Sequence, residues 1–402
     1  MGFFFVFLFW LLLFIVFYSY AGYGILLYFL VKLKRLFTTQ KIIYTGSEKD
    51  KDLPEVTFFI AAYNEEKWIE EKMRNSFALD YPKNKIHFFF VTDGTTDKTN
   101  DLISAYPNPD NNKIELFFKP ERRGKIAAVE RVMPFVQTPI VIFTDANTDL
   151  NPEAVKKIVR HYADPNVGAV AGEKRVQSSG EAAGAGEGFY WKYESLLKKW
   201  DSELHSVVGA AGELFSILTD LYQPVERDTL VEDFVMTLRI AKRGYKVVYE
   251  PEAYAMEGSS ENVKEELKRK IRISAGGLQA VWRLRGLLNP LKYGTLSFQY
   301  ISHRVLRWTL APLALPIIFG LNYLFVLHNQ SPEKFYLYFF YAQVIFYLAA
   351  LLGWLFEQFK IKVKALYIPY YFCMMNYSVF RGFFRLIGGK QSVVWEKAKR
   401  AE

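Results

Sequence analysis

Three short polar clusters each follow an apolar run in the middle of the chain, and their side chains offer carboxylate, amide and hydroxyl oxygens. Hard divalent cations prefer such oxygen ligands, and a cation of this kind offsets the charge of a nucleotide diphosphate. Asp145 with Asn147 therefore predicts a Mn²⁺ or Mg²⁺ site, whereas Asp93 is suited to accept hydrogen bonds from a base or ribose. The clusters are Ala62-Tyr63-Asn64-Glu65-Glu66, Asp93-Gly94-Thr95-Thr96-Asp97-Lys98-Thr99 and Asp145-Ala146-Asn147-Thr148-Asp149.

A lysine adds to this candidate chemistry. Lys125 ends the segment Arg122-Arg123-Gly124-Lys125 and stands at the start of a predicted helix, where its ammonium could reach a phosphate. Each feature also has a purely structural interpretation. The clusters could supply helix caps and turn residues, and Lys125 could be a solvated helix end. Three carboxylate-bearing loops together favour a shared site over three separate caps.

The elements that must position these side chains follow from the hydrophobic pattern. Short runs rich in Phe, Val and Ile predict strands at 56–62, 85–92, 114–118 and 140–144, and helical stretches such as 67–79 and 124–136 lie between them. Strands that alternate with helices imply an α/β fold with a mostly parallel sheet and helices on both faces. Ligands bind beyond the carboxyl ends of such strands, so the three clusters are expected to meet at one edge of the sheet.

A long apolar run before this segment predicts a membrane span. Residues 3–17 are uniformly apolar and the run continues to Val31, beyond the ~20 residues that cross a bilayer, so the helix must tilt or protrude. Its length, with no basic n-region and no small-residue cleavage site, argues against a cleaved signal peptide. Lys32, Lys34 and Arg35 follow, and a basic flank of this kind predicts that the next segment is cytosolic.

Three further apolar runs follow the α/β segment. Residues 305–327 and 335–356 predict two spans, joined by a linker without Lys or Arg, as an external turn should be. Residues 365–384 include a proline, an asparagine and an arginine and precede a basic tail, so they predict either a fourth span or a re-entrant hairpin. The predicted organisation is a first span in 1–35, a cytosolic domain in 50–285, an interfacial segment in 286–304, the three apolar segments, and the basic tail in 385–402.

Composition excludes other classes of protein. The formal net charge is +9, but the basic residues cluster beside the apolar runs and no nucleic-acid-binding motif is present. A membrane flank therefore accounts for the charge, and no nucleic acid is expected as a partner. The single cysteine, Cys373, can form no disulfide within the chain and supplies no Cys-rich metal site.

In these motifs the sequence resembles glycosyltransferase family 2, in the membrane-bound group that includes cellulose, hyaluronan and poly-N-acetylglucosamine synthases. The matching elements are Tyr-Asn-Glu-Glu at 63–66, Asp-Gly-Ser/Thr-x-Asp-x-Thr at 93–99, Arg-x-Gly-Lys at 122–125 and an Asp-x-Asp-type metal element at 145–147. The resemblance covers roughly residues 53–281 and extends to the flanking spans. It implies the A-type glycosyltransferase fold, with a Rossmann-like nucleotide-sugar-binding domain. The implied donor site comprises Ala62, Tyr63, Asn64, Glu65, Asp93, Lys125, Asp145 and Arg272.

The resemblance also indicates a catalytic base. The family carries it in a Glu-Asp pair that opens a helix, and Glu232-Asp233 matches that pair. Thr229 and Glu232 have the spacing of a capping box, which would leave Asp233 to take the proton of an acceptor hydroxyl. Alternatively, the negative charge of Asp233 stabilises the first helical turn by interacting with the helix dipole. Gly244 is expected to end this helix.

Two departures from the family pattern bear on the metal and the acceptor. The metal element reads Asp-Ala-Asn, in which Asn147 offers a carbonyl oxygen in place of a carboxylate. The Gln-x-x-Arg-Trp element of polysaccharide synthases is matched by residues 269–273, in which Arg272 is kept, Arg269 replaces the glutamine and Ile273 replaces the tryptophan that borders the acceptor sugar. Single transfer and repeated elongation therefore both remain open. Arg272 could alternatively be an interfacial arginine beside the bilayer.

The basic tail contributes one more candidate residue. Residues 391–397 resemble a segment of related enzymes that folds back near the active site. Trp395 therefore joins Glu232 and Arg269 as a residue expected on the acceptor side, although a lone tryptophan in a basic tail is also typical of an interfacial anchor.

Together these features predict a multi-pass membrane protein, of the inner or plasma membrane in a bacterium, with its catalytic domain in the cytosol. The predicted reaction is metal-dependent, inverting transfer of a sugar from a nucleotide sugar, with UDP favoured, to a polysaccharide or glycolipid acceptor. So few spans argue against a secretion channel, and so favour a lipid acceptor or partner subunits of a synthesis or export complex. The alternatives are single-sugar transfer to a polyprenyl phosphate and a catalytically silent membrane scaffold, and the presence of Asp145 and Asp233 favours an enzyme.

Overall fold

The middle of the chain forms one mixed sheet. In chain order its strands are β1 (Val56–Ala62), β2 (Ile86–Asp93), β3 (Lys113–Lys119), β4 (Ile140–Asp145), β5 (Asp149–Leu150), β6 (Val167–Gln177), β7 (Leu214–Leu218) and β8 (Lys246–Gly258). Their spatial order is β3-β2-β1-β4-β7-β6-β8-β5. The computed structural model that gives these elements describes residues 2–38, 52–108, 110–177, 182–258, 262–328, 334–359, 361 and 363–389.

The first four strands confirm the predicted parallel arrangement. β1 lies between β2 and β4 and is parallel to both, and β2 is parallel to β3. Their observed ends differ from the predicted ones by at most one residue. β7 runs antiparallel to β4 and to β6, so the sheet becomes mixed in its second half.

Helices cover both faces of the sheet, as the α/β prediction requires. Neighbouring residues of a strand point to opposite faces. Accordingly Phe58 packs in one apolar cluster with Met73, and Phe59 packs in a second cluster with Val129 and Leu238. The helices of the chain are α1 (Phe3–Phe17), α2 (Tyr23–Phe37), α3 (Ile69–Phe77), α4 (Thr99–Ala105), α5 (Lys125–Val132), α6 (Ala154–Val159), α7 (Ala182–Leu204), α8 (Glu232–Lys242), α9 (Val263–Arg283), α10 (Pro290–Tyr300), α11 (Leu306–Trp308), α12 (Leu310–Leu327), α13 (Lys334–Gln358) and α14 (Lys364–Ile387).

Within the described ranges, three helical segments are long and apolar enough to cross a bilayer. The first, Phe3–Phe37, joins α1 to α2 through a π-helical turn, and the other two are α12 and α13. The first segment has 35 residues, which is about 52 Å of helix, whereas a hydrocarbon core is about 30 Å thick. A helix of this length that crosses a bilayer must therefore tilt or protrude, as its sequence predicts.

The excess length of the first segment packs on α7. Tyr23 and Leu27 of α2 are fully buried and cluster with Leu197. At the end of α2, Lys34 Nζ donates a hydrogen bond to the backbone carbonyl of Glu203 at 2.8 Å. The first span and the α/β domain are thus joined by packed side chains as well as by the connecting chain.

The second predicted span begins later in the structure than its hydrophobic run. The sequence predicts a span at 305–327, but α12 starts at Leu310. The backbone of Thr309 leaves helical geometry, with φ −129° and ψ −87°, and so separates α11 from α12. Residues 286–304, predicted to be interfacial, contribute Leu296 and Tyr300 to the core of the α/β domain.

The segment 365–384 forms no hairpin. It lies within α14, a single helix of 24 residues, so the chain does not reverse direction there. α14 packs along α9, where the hydroxyls of Ser274 and Ser378 are hydrogen-bonded at 2.9 Å. It also packs on α13 at Gly353, where a Cβ would lie 2.5 Å from the Leu366 carbonyl oxygen.

Candidate active site

The carboxyl ends of three neighbouring strands lie side by side. In the register of the sheet, Ala62 at the end of β1 is level with Thr92 of β2, and Ala61 is level with Asp145 of β4. The three polar clusters therefore start from one edge of the sheet, as predicted.

The loops after β1 and β2 are held to each other by hydrogen bonds. Asn64 adopts a left-handed backbone conformation, with φ 53°, and its Oδ1 accepts from the backbone N–H of Thr96 at 2.9 Å. The backbone N–H of Glu65 donates to Thr99 Oγ1 at 2.8 Å. Asn64 and Glu65 therefore fix the position of the loop after β2 at the edge of the site.

Asp93 and Tyr63 fix the segment that leads into α5. Asp93 Oδ2 accepts hydrogen bonds from the backbone N–H groups of Arg123 at 2.7 Å and Gly124 at 2.6 Å. The guanidinium of Arg122 lies 3.6 Å from the centre of the Tyr63 ring, within cation–π range. Asp93 thus serves the protein's own backbone, and its role toward a base or ribose stays a prediction.

Lys125, the first residue of α5, connects two carboxylates. Its Nζ lies 2.8 Å from Asp145 Oδ1 and 3.1 Å from Glu232 Oε1. Burial opposes its charge, but the two carboxylates raise the pKa of Lys125 overall. Burial also raises the pKa of Asp145, against the effect of the lysine. For Glu232 burial is opposed by the lysine, a backbone hydrogen bond and Arg272, which together lower the pKa. Lys125 is therefore a paired cation inside the site, and its interpretation as a solvated helix end is wrong.

Asp233 lies in the first turn of α8 and faces the same space. Burial, and then the neighbouring charge of Glu232, raises the pKa of Asp233 to about 7. A helix dipole would favour the charged carboxylate, so burial outweighs the dipole here. A Cβ at Gly212 would lie 3.4 Å from Asp233 Oδ2, so this glycine lies beside the carboxylate. A carboxylate that titrates near pH 7 is suited to take a proton from a hydroxyl.

The predicted capping box of α8 is wrong. The helix begins at Glu232, after the non-helical Val231 with φ −132° and ψ 74°, and no side chain caps it. Thr229 Oγ1 instead donates to the Glu226 carbonyl at 2.6 Å, because the chain turns before the helix starts. Glu232 uses its carboxylate in the ion pair with the lysine of α5. Gly244 ends the helix as predicted, with φ 98°.

A single cavity of about 240 Å³ brings the central groups together. Arg269 is held by Glu266, to which its Nε donates at 2.9 Å. Arg272 donates to the backbone carbonyl of Leu230 at 3.4 Å. The predicted residues that line this cavity are Lys125, Asp145, Glu232, Asp233, Arg269 and Arg272.

Other predicted residues lie around this cavity or cannot be placed. Tyr63, Asn64, Glu65 and Asp93 build the adjoining loops, and Ala62 ends β1 at the same edge. Trp395 lies outside the described residues, so its expected place on the acceptor side stays a prediction.

Two tryptophans that no motif singled out also line the cavity, Trp191 of α7 and Trp308 of α11. The Trp308 ring packs on α9 at Gly277, where a Cβ would lie 2.5 Å from Trp308 Cδ2, and it contacts Phe234 edge to face at 5.2 Å. Ile273 lines the same cavity. Trp308 therefore gives this cavity an aromatic wall, and Gly277 is the sequence signal for its close packing on α9.

Asp145 fits a cation that is shared with a bound diphosphate. The Lys125 ammonium beside Asp145 shows that this carboxylate is placed to hold positive charge. Among the described residues, no three His, Cys, Asp or Glu side chains could hold a metal ion by themselves. Mg²⁺ and similar ions commonly take one or two protein ligands and complete their shell with phosphate oxygens and water. Asp145 therefore suits such a shared site, and Asn147 stays the predicted second ligand.

Comparison with known proteins finds related sequences and a related fold. The family profile described as glycosyl transferase family 2 matches residues 57–223. The poly-β-1,6-N-acetyl-D-glucosamine synthase of Staphylococcus aureus (strain COL) is 26% identical over 269 residues, which are 64% of each chain. The synthase of the same name from Staphylococcus epidermidis is 22% identical over 282 residues, 68% of this chain and 65% of that protein. The chain thus matches somewhat less than two thirds of the length of these relatives.

A solved structure has the same fold over nearly the whole chain. It is the mannosyltransferase PcManGT from Pyrobaculum calidifontis in complex with GDP-Man and Mn²⁺, with a TM-score of 0.70 and 20% sequence identity. The superposition covers 95% of this chain and 100% of the mannosyltransferase. By sequence, residues 57–223 therefore form a glycosyl transferase family 2 domain, and the chain has the fold of the solved mannosyltransferase.

Proposed function

We propose that the chain transfers a sugar, with inversion, from a nucleotide diphosphate sugar to a hydroxyl of a glycan or glycolipid acceptor. One observation carries the proposal. Asp233, whose pKa is raised to about 7, lines the same cavity as Asp145 and Lys125. A base for the acceptor and groups for the donor diphosphate are thus held around one space.

Each residue has a distinct task in this reaction. Asp233 accepts the proton of the acceptor hydroxyl as that oxygen attacks the anomeric carbon. Asp145 and Asn147 would hold a divalent cation, which, when bound, offsets the charge that develops on the departing diphosphate. Lys125 and Arg272 are cations in the same cavity and would contact phosphate oxygens. Glu232 keeps Lys125 in place and raises the pKa of the base beside it.

The donor and the setting of the reaction are part of the proposal. The relatives are named for a polymer of N-acetylglucosamine, whereas the solved structure holds GDP-Man, so the sugar must be decided by assay. We expect a UDP-sugar. The basic residues at the end of the first span support a cytosolic catalytic domain in a multi-pass membrane protein. Partner subunits of a synthesis or export complex are also expected.

The proposal is tested with the purified full chain in lipid nanodiscs. UDP- and GDP-sugars are supplied singly with Mn²⁺ or Mg²⁺, and nucleotide release and labelled product are recorded. We expect cation-dependent turnover with one donor class and product of inverted anomeric configuration. Absence of turnover with every donor, combined with retained nucleotide-sugar binding, would identify the chain as a silent scaffold.

A further inference from the structure

A second cavity, of about 260 Å³, adjoins the catalytic cavity. Its apolar wall includes Ile368, Phe372 and Val379 of α14 and Tyr20 of the first span. The two cavities have a common wall, made of Ser274, Arg304, Trp308 and Met375. Trp308 therefore separates the catalytic cavity, which Asp233 lines, from the mainly apolar second cavity.

The second cavity lies beside candidate membrane helices. Tyr20 is near the middle of Phe3–Phe37, the longest apolar segment. α14, which supplies most of the apolar wall, packs between α9 of the α/β domain and α13, another candidate span. The cavity thus lies between candidate membrane helices and the α/β domain.

The charged side chains that line the second cavity are basic. They are Arg304 and Arg307, accompanied by His303, and no Asp or Glu occurs among its described lining residues. Both guanidinium groups share one carboxylate behind the wall, with Arg304 Nη1 2.5 Å and Arg307 Nη1 3.3 Å from oxygens of Glu194. The other carboxylate in this region, Asp201, is engaged by His303 Nδ1 at 2.5 Å. The described side chains that face this apolar pocket therefore offer two guanidinium groups and no carboxylate.

We propose that the acceptor is a lipid-anchored glycan with a phosphate-containing head group. Its hydrocarbon chain lies in the second cavity, its phosphate meets Arg304 and Arg307, and its hydroxyl reaches Asp233 past Trp308. In the reaction the acceptor oxygen bonds to the anomeric carbon, the bond from that carbon to the nucleotide diphosphate breaks, and the hydroxyl proton passes to Asp233. This inference rests on the proposed function and names the class of its acceptor.

Lipid binding is measured without turnover, so that it can fail independently of the proposed function. The probe is a long-chain prenyl phosphate with a diazirine near the end of its chain, photo-crosslinked to the full chain in detergent micelles. In the wild type we expect label in α14 and in residues 301–308. Label confined to the outer faces of α12 and α13 would overturn the inference.

Two comparisons sharpen the test. Val379→Trp fills the cavity with an indole, and removing part of the apolar contact of the chain should lower crosslinking about tenfold. Ile387→Trp, at a 70% exposed position of the same helix, is the matched control and should label like the wild type. In competition with the wild type, unlabelled prenyl phosphate should be about tenfold more effective than the corresponding prenyl alcohol.

The opposite results would overturn the inference. Labelling of Val379→Trp at the wild-type level would mean that the chain does not occupy the cavity. Equal competition by prenyl phosphate and prenyl alcohol would mean that the two arginines do not bind the phosphate. Failure of the proposed function itself would appear elsewhere, as absence of nucleotide release by the wild type with every donor.

Discussion

Lys125 Nζ lies 2.8 Å from Asp145 Oδ1, so the helix after β3 is joined to the carboxyl end of β4. The same ammonium pairs with Glu232 at the start of α8. Three elements that are distant in sequence therefore converge on one cation. The carboxylates are only 14% and 12% exposed, so they depend on this lysine for compensation of their charge.

Lys125→Met should destabilise the protein by about 3 kcal/mol, because two largely buried carboxylates would lose their common partner. It should also weaken donor binding, since a phosphate-facing cation is lost. Lys156→Met is the matched control, because its partner Asp80 is 57% exposed and such a pair contributes about 0.5 kcal/mol. Thermal unfolding in detergent and titration with nucleotide sugar measure both effects. Equal unfolding temperatures of the two variants would contradict the assigned role.

The rate of transfer should rise with pH and level off above about 7, because Asp233 must be unprotonated to act as a base. The charge of Glu232 helps to raise this pKa, so Glu232→Gln should shift the midpoint of the profile to lower pH. The exposed Glu70→Gln should leave the midpoint unchanged. The check is kcat/KM against pH for all three proteins, and an upward shift in Glu232→Gln would refute the coupling.

Asn147→Asp should tighten binding of the divalent cation, because a carboxylate replaces an amide oxygen in the site that we propose. We expect the Mn²⁺ concentration for half-maximal nucleotide binding to fall by about tenfold, since a more negative ligand set binds a hard cation more strongly. Asn147→Ala should raise it. Calorimetric titration of nucleotide in the presence of graded Mn²⁺ gives the comparison. The same Mn²⁺ requirement in all three proteins would place the cation elsewhere.

Gly277→Ala should displace Trp308, because the added Cβ would lie 2.5 Å from the indole. Overpacking of this kind costs about 1–3 kcal/mol, and it should lower use of the acceptor while donor binding is kept. Gly320→Ala in α12 is a suitable control, since no atom lies within 4 Å of its added Cβ. KM for the acceptor and the Kd for the donor separate the two sites. An unchanged KM for the acceptor in Gly277→Ala would mean that Trp308 does not contribute to acceptor binding.

Much of the first half of the domain could be predicted from local sequence. β1, β2 and β4 are continuous apolar runs, and each ends at a polar motif. The bounds of these strands, and the position of the three motifs at one edge of the sheet, could therefore be predicted. β6 and β8 were not predicted, because their polar and charged positions, such as Lys174 and Glu250, are buried only through partners elsewhere in the chain. The antiparallel pairing of β7 with β4 and β6 was not predicted either, because it joins segments that are distant in sequence.

The site was predictable in its residues and less so in its interactions. Asp145, Asp233 and Lys125 could be named from motifs. The ion pair between Asp145 and Lys125, however, depends on the approach of α5 to β4. Thr229 illustrates the limit, because its spacing to Glu232 suggested a cap, whereas Oγ1 bonds within the preceding turn. Trp308 has no motif around it. Its place in the cavity comes from the break at Thr309 and from packing on a glycine of α9.

The central claim is that Asp233 removes the acceptor proton, and Asp233→Asn tests it most directly. An amide of the same shape cannot take the proton, so kcat should fall by about 10²-fold or more while the Kd for the donor stays close to that of the wild type. Asp220→Asn, on the exposed surface, is the control and should retain full activity. Labelled product formed at saturating donor and acceptor is the measurement. Transfer by Asp233→Asn at close to the wild-type rate would contradict the account.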